Sequence, residues 1–195
     1  MGAAERDEAA RAAWRAEVAH WEPDDVVVLD EAGTNVAMTP RYARAPRNAR
    51  AYDQAPFNKG DNITTLATLT TAGVAAAMTI VGAADARVVE AFVRECVVPH
   101  LRAGQVLVLD NVSTHKSAEV RRLVAAAGCH LRFLPAYSPD LSPIEEAFAK
   151  FKALLRQAKA RTVAAVEVAI GQALDAITPR DARQFFAHCG YGIAK

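Results

Sequence analysis

The chain has 195 residues, 52% of them apolar and 23% charged, with a formal net charge of +1. That length and apolar share suit one domain with a sizeable core and exclude a disordered chain. The near balance of charge neither supports nor excludes a nucleic-acid partner, because local positive charge can be offset by acids elsewhere.

Residues 3–20 are rich in Ala, Arg and Glu and read as a helix, with Trp14 and Val18 at i,i+4 spacing. Two readings are open for residues 1–23: a helix packed on the domain, or the tail of a linker from an upstream region. No signal-peptide core is present there, and no run of eighteen apolar residues occurs anywhere, so no membrane span is expected. Cys96, Cys129 and Cys189 show no paired metal spacing, and an odd count argues for a reducing compartment. The expected location is cytoplasmic.

VVVLD, 26–30, reads as a buried strand ending on Asp30. Glu31 to Thr34 reads as a turn or bulge, and Asn35 to Met38 as the start of a returning strand. Residues 40–61 set Arg41, Arg44, Arg47, Arg50 and Lys59 around Tyr42 and Tyr52, against only Asp53 and Asp61. Such a segment suits a phosphate backbone; a solvated loop or hairpin is the competing reading. NITTLATL, 62–69, and residues 74–81 read as an antiparallel pair joined by a turn. A helix follows over 85–101, with Asp85 as its cap.

QVLVLDN, 105–111, has the form of a buried strand that delivers Asp110 to a sheet edge. Residues 115–127 read as a helix and LRFLP, 131–135, as a short strand. AYSPDLSPIEEAFAKFK, 136–152, is a Pro/Ser/Asp loop running into a helix start. Ser142 can cap that helix, Pro143 suits its first position, and Glu145 and Glu146 fall in the first turn. Asp140 reads as a turn former. Lys152, Arg156 and Lys159 share one helical face that can meet a DNA backbone or stay solvated. Thr162 can cap a helix over 162–177, Pro179 begins another turn or helix, and the aromatic end packs back. Three antiparallel-type strands, a helix, a strand, a helix, a strand and further helix suit an α/β fold, a five-stranded mixed sheet with helices on both faces. Asp30, Asp110 and Glu145 brought together need protons or metal, because like charges raise each other's pKa. Magnesium is the natural partner of such a set.

VVVLDE (26–31), VLVLDNVSTHK (106–116), LPAYSPDLSPIEEAFAKFK (134–152) and FFAHCGY (185–191), in that order, resemble the catalytic domain of bacterial insertion-sequence transposases of the mariner superfamily. Those are DDE superfamily enzymes with a ribonuclease-H-like fold. The resemblance covers residues 24–191, leaving 192–195 as a tail. It implies that Asp30, Asp110 and Glu145 are the catalytic acids, with thirty-four residues between the last two. It also implies two Mg2+ or Mn2+ ions about 4 Å apart, Asp30 bridging both and Asp110 and Glu145 holding one each. DNA is the implied substrate, cut at element ends and joined through a 3′-hydroxyl to a TA target, by a homodimer assembled on DNA. Asn111, His115, Lys116 and Tyr137 are placed beside the acids and are candidate contacts to DNA, with capping of its helix the competing reading for His115. Glu146 is the register alternative to Glu145, and His188 and Cys189 read as packing residues.

Family members carry helix-turn-helix modules upstream, for which the stretch before residue 26 has no room. This departure suggests an upstream region encoded in another frame, or a truncated remnant. The competing function is therefore a catalytically silent fragment that assists or regulates a full-length transposase. A third reading, an unrelated nuclease of junction DNA or RNA hybrids, is opposed by the third acid on its Pro-rich loop.

Overall fold

The computed structural model describes residues 5–112 and 116–192. Helix α1 (Glu8–Val18) leads into strand β1 (Val26–Thr34), the hairpin β2 (Ile63–Thr70) and β3 (Gly73–Val81), and helix α2 (Ala86–Phe92). Strand β4 (Val106–Leu109), helix α3 (Ala118–Ala126) and strand β5 (His130–Phe133) follow. Helices α4 (Pro143–Ala158), α5 (Val163–Asp175) and α6 (Pro179–His188) complete the chain. The sheet order is β3-β2-β1-β4-β5. β1, β2 and β3 are antiparallel, whereas β4 lies parallel to both β1 and β5. This is the mixed five-stranded sheet expected of a ribonuclease-H-like fold.

Alternation along β1 and β4 separates two cores. Val26, Val28, Ala32 and Val108 face a layer built by α1, α4, α5 and α6, including Trp14, Phe148, Phe151, Ile170, Phe186 and Tyr191. Val27, Leu29, Leu107 and Leu109 face the other layer, with Val89, Phe92, Val120 and Val124 from α2 and α3. Helix α1 therefore packs on the domain: Trp14 and Val18 are buried, and Trp14 meets Trp21 edge-on at 5.5 Å. The aromatic segment after α6 also packs back, with Tyr191 buried against Phe186 at 5.5 Å.

Caps set several helix starts. Asp85 accepts from the Val88 N–H, Thr162 from Ala165, and Ser117 from Glu119 and Val120. Helix α3 thus begins at Ala118, later than the 115–127 segment suggested. The helix over 85–101 changes pitch instead of running through. Its α part ends at Phe92, a π turn covers Val93–Val97, and a 3-10 turn covers Val98–His100, where Pro99 supplies no N–H to the ladder.

Two expectations near β1 are overturned. Glu31 to Thr34 is no turn; β1 continues through it because Glu31 pairs Leu66 and Thr34 pairs Ile63. Asn35 to Met38 is no returning strand, since β2 at Ile63 already occupies the place beside β1. Residues 35–62 instead leave the sheet as an excursion without helix or strand. Among the described residues no helix is long and apolar enough to cross a membrane.

Candidate active site

Asp30 and Asp110 are placed by register. β1 and β4 are parallel, and Leu29 pairs with Leu109, so each aspartate is the next residue along its strand. Neighbouring strands lie about 4.8 Å apart, which sets the two backbones side by side. Val28 and Ala32 flank Asp30 and face the α4 layer, so Asp30 faces it too, and Glu31 faces away. Asp30 is 9% exposed and its Oδ1 accepts the Glu31 N–H at 2.7 Å. Asp110 is half-buried and its Oδ1 accepts the Val112 N–H at 3.3 Å.

Glu145 arrives from the same side. Helix α4 buries Ile144, Ala147, Phe148, Phe151 and Leu155 on the sheet, and this stripe turns Glu145 outward at the helix start. All three acids line one cleft of about 400 Å³. Asn111, Val112 and Tyr137 line it as well, and Leu134, Ser138 and Ser142 form part of its wall. Among the described residues no three Asp, Glu, His or Cys side chains are already close enough to chelate an ion. The acids therefore share the cleft without closing on one point. Their chemistry fits a hard divalent cation: the donors are carboxylate oxygens, and among the described residues no thiol or imidazole lines the cleft.

Glu146 is held elsewhere. Its carboxylate pairs with His188 Nδ1 on α6, and this partner raises the His188 pKa above its ordinary value. Cys189, next to His188, is buried, and burial pushes its thiol up to about 12.

The basic residues divide. Arg41, Arg44, Arg47, Arg50 and Lys59 are all exposed on the excursion, as are Tyr42 and Tyr52. Its start is tied to the domain by Arg161, which donates to the Val36 and Met38 carbonyls at 3.0 and 2.9 Å. Lys159 does not share a helical face with Lys152 and Arg156. It caps α4 in the left-handed region, φ 49°, and pairs with Asp53 at 2.6 Å. Lys159 thereby holds the Asp53 carboxyl below its ordinary range. Lys152 and Arg156 are half-buried on α4, and Lys116 is exposed just before α3. His115 lies outside the described residues.

Asp140 sits in a turn, as its sequence context suggested, the 3-10 turn Pro139–Leu141, but its side chain binds the Arg11 guanidinium through both oxygens, at 3.0 and 2.7 Å. Arg11 holds the Asp140 carboxyl below the usual carboxylate range. Sequence reasoning passed over Arg11, although a signal was present: with Trp14 and Val18 it forms the buried i, i+3, i+7 stripe of α1. Ser142 was expected as the cap of α4, but its side chain makes no capping hydrogen bond; it is buried in the cleft wall.

A family model described as DDE superfamily endonuclease matches residues 25–167. The chain belongs to that family. Among solved structures, this DDE superfamily domain is similar to the Mos1 mariner paired end complex with Mn, with a TM-score of 0.69 and 17% identity over 97% of this chain and 61% of that one. The Mos1 transposase catalytic domain with Raltegravir and Mn gives a TM-score of 0.69 and 14% identity, over 100% of this chain and 96% of that one. The Mos1 transposase paired-end complex with left transposon end gives 0.66 and 17%, over 86% of this chain and 53% of that one. At these identities the likeness establishes the fold. The domain spans between 53% and 61% of the Mos1 chains in those two complexes. A search of curated proteins finds no match.

Proposed function

We propose that this domain is the metal-dependent catalytic core of a DNA transposase, cutting phosphodiesters at element ends and transferring a 3′-hydroxyl to target DNA. The observation that carries this reading is the convergence of Asp30, Asp110 and Glu145 on one cleft, two from adjacent parallel strands and one from the helix that covers them. Asp30, Asp110 and Glu145 would hold two Mg2+ or Mn2+ ions. Bound there, the ions supply Lewis acidity, activating water or a 3′-hydroxyl and neutralising charge on the phosphate. The protein's own groups orient and shield. The Glu31 and Val112 N–H groups orient the two aspartates, and Val112 and Leu134 add apolar lining beside them. Asn111 and Tyr137 at the rim suit contacts to the DNA strand. The exposed arginines at 41, 44, 47 and 50, with Lys59, suit the phosphate backbone farther away. Two copies acting on two DNA ends, as the paired-end name of the Mos1 complexes suggests, complete this reading.

The test supplies pre-cut element ends and a supercoiled target with Mg2+ or Mn2+. Strand transfer or nicking should appear, and Asp110→Asn should abolish it. A domain silent by itself is the alternative outcome of this test. That reading expects no reaction and no effect of the substitution.

A further inference from the structure

The turn that delivers Glu145 is held by both ends of the domain. Tyr137 sits in the left-handed region at φ 54°, a conformation that costs a tyrosine energy unless its surroundings enforce it. Arg6 Nε donates to the Tyr137 carbonyl at 2.9 Å. Arg11 grips Asp140 through a two-pronged fork at 3.0 and 2.7 Å, and Arg6 and Arg15 add ion pairs at 3.3 and 3.6 Å. From the opposite side the Tyr191 hydroxyl donates to the Leu141 carbonyl at 3.3 Å.

Arg11 is only 2% exposed. Burying a guanidinium is expensive, and such pairs define geometry more readily than they add stability. The geometry defined here is the approach to α4. Its first turn has no side-chain cap: the Ser142 hydroxyl accepts nothing from it, and only the Ser142 carbonyl accepts, from the Glu145 N–H at 3.1 Å. The buried stripe of α4 turns Glu145 outward, and what pins residues 137–141 holds the start of that helix in place.

We infer that Arg11 is a positioning residue for the metal site: by clamping Asp140 it fixes the turn that holds Glu145 over Asp30 and Asp110. The inference rests on the reading of Glu145 as a metal ligand. It makes α1 part of the catalytic apparatus, although none of its residues touches the reacting atoms.

The test measures Mn2+ affinity by calorimetry for the parent and for R11M, R11K, D140N, E145Q and R11M/E145Q, with metal-free thermal unfolding alongside. R11M and D140N should each bind Mn2+ about tenfold more weakly, the loss typical of a group that orients a ligand. R11K should recover part of it. R11M should add nothing in the E145Q background, because the clamp acts through Glu145. Parent-like Mn2+ affinity in R11M and D140N, whatever their unfolding temperatures, would overturn the inference while E145Q still binds weakly. A loss from R11M that persists undiminished in E145Q would overturn it too. Parent-like affinity in E145Q would instead sink the ligand reading, and the inference with it. Should R11M not fold, D140N decides by the same comparison, its side chain being 47% exposed and tolerant of change.

Discussion

Glu145 and Glu146 are adjacent acids in one helical turn; Glu145 lines the cleft with Asp30 and Asp110, whereas Glu146 pairs with His188. Glu145→Gln keeps the shape of the side chain and a neutral oxygen but gives up the charge. Glu145 is exposed, so the solvent-screened limit applies. A unit charge about 4 Å from a divalent ion is then worth about 2 kcal/mol, roughly thirtyfold in affinity. Glu146 is turned about 100° around the helix and engaged by His188. Glu146→Gln should change Mn2+ affinity by less than about twofold on the same scale. Its effect should appear at His188, whose proton affinity Glu146 raises by hydrogen bonding and then by charge. Since the folded pKa lies above the ordinary 6.5, the pair's stabilisation is complete below that pH and is lost as pH rises through the raised value. The E146Q variant should therefore titrate His188 at lower pH by NMR. The assay is parallel Mn2+ calorimetry of both variants, and a larger loss in E146Q than in E145Q would refute the assignment of the third acid.

Phe151 is fully buried between α4 and the sheet, so Phe151→Ala should cost about 3–5 kcal/mol in denaturant unfolding; a cost under about 1 kcal/mol would mean the α4 layer is misplaced. Gly73 turns the β2–β3 hairpin at φ +113°, where an added Cβ would stand 3.0 Å from the Ile177 carbonyl oxygen. Gly73→Ala should destabilise by about 1–3 kcal/mol, read as a fall in melting temperature. Replacing Arg44 or Arg47 with Ala should weaken DNA binding and lower the slope of log K against log salt by about 0.9 for each duplex phosphate that is no longer neutralised. An unchanged slope would leave the excursion as a solvated loop.

The strands that carry the two aspartates were legible because VVVLD and VLVLD are apolar runs ended by an acid. The continuation of β1 through Glu31, Ala32 and Gly33 was not. Those residues have turn-like composition, and pairing with Leu66, Thr65 and Thr64 overrides it. The site's acids could be read locally: Asp110 follows β4 and Glu145 opens α4, while Asp30 ends its apolar run although β1 continues past it. What holds them could not. Arg11 and Asp140 lie 129 residues apart, and only the folded chain brings them together. The end of α4 was misjudged for a related reason. Lys159 continues the helical spacing of Lys152 and Arg156, but a left-handed cap and an ion pair to Asp53 take it off that face.

The excursion between β1 and β2 has its own consequence for how such domains diversify. Thr34 and Ile63 are direct partners at the end of the β1–β2 ladder, so everything between them hangs from a closed neck. Lengthening a loop with fixed ends costs little, about 0.6 kcal/mol per doubling. Beyond its start, which Arg161 ties to the approach to α5 through Val36 and Met38, and apart from the Lys159–Asp53 pair, the excursion can change length while the sheet and the three acids keep their places. New surfaces for DNA or partners can be tried at that neck, as interchangeable parts on a fixed catalytic frame.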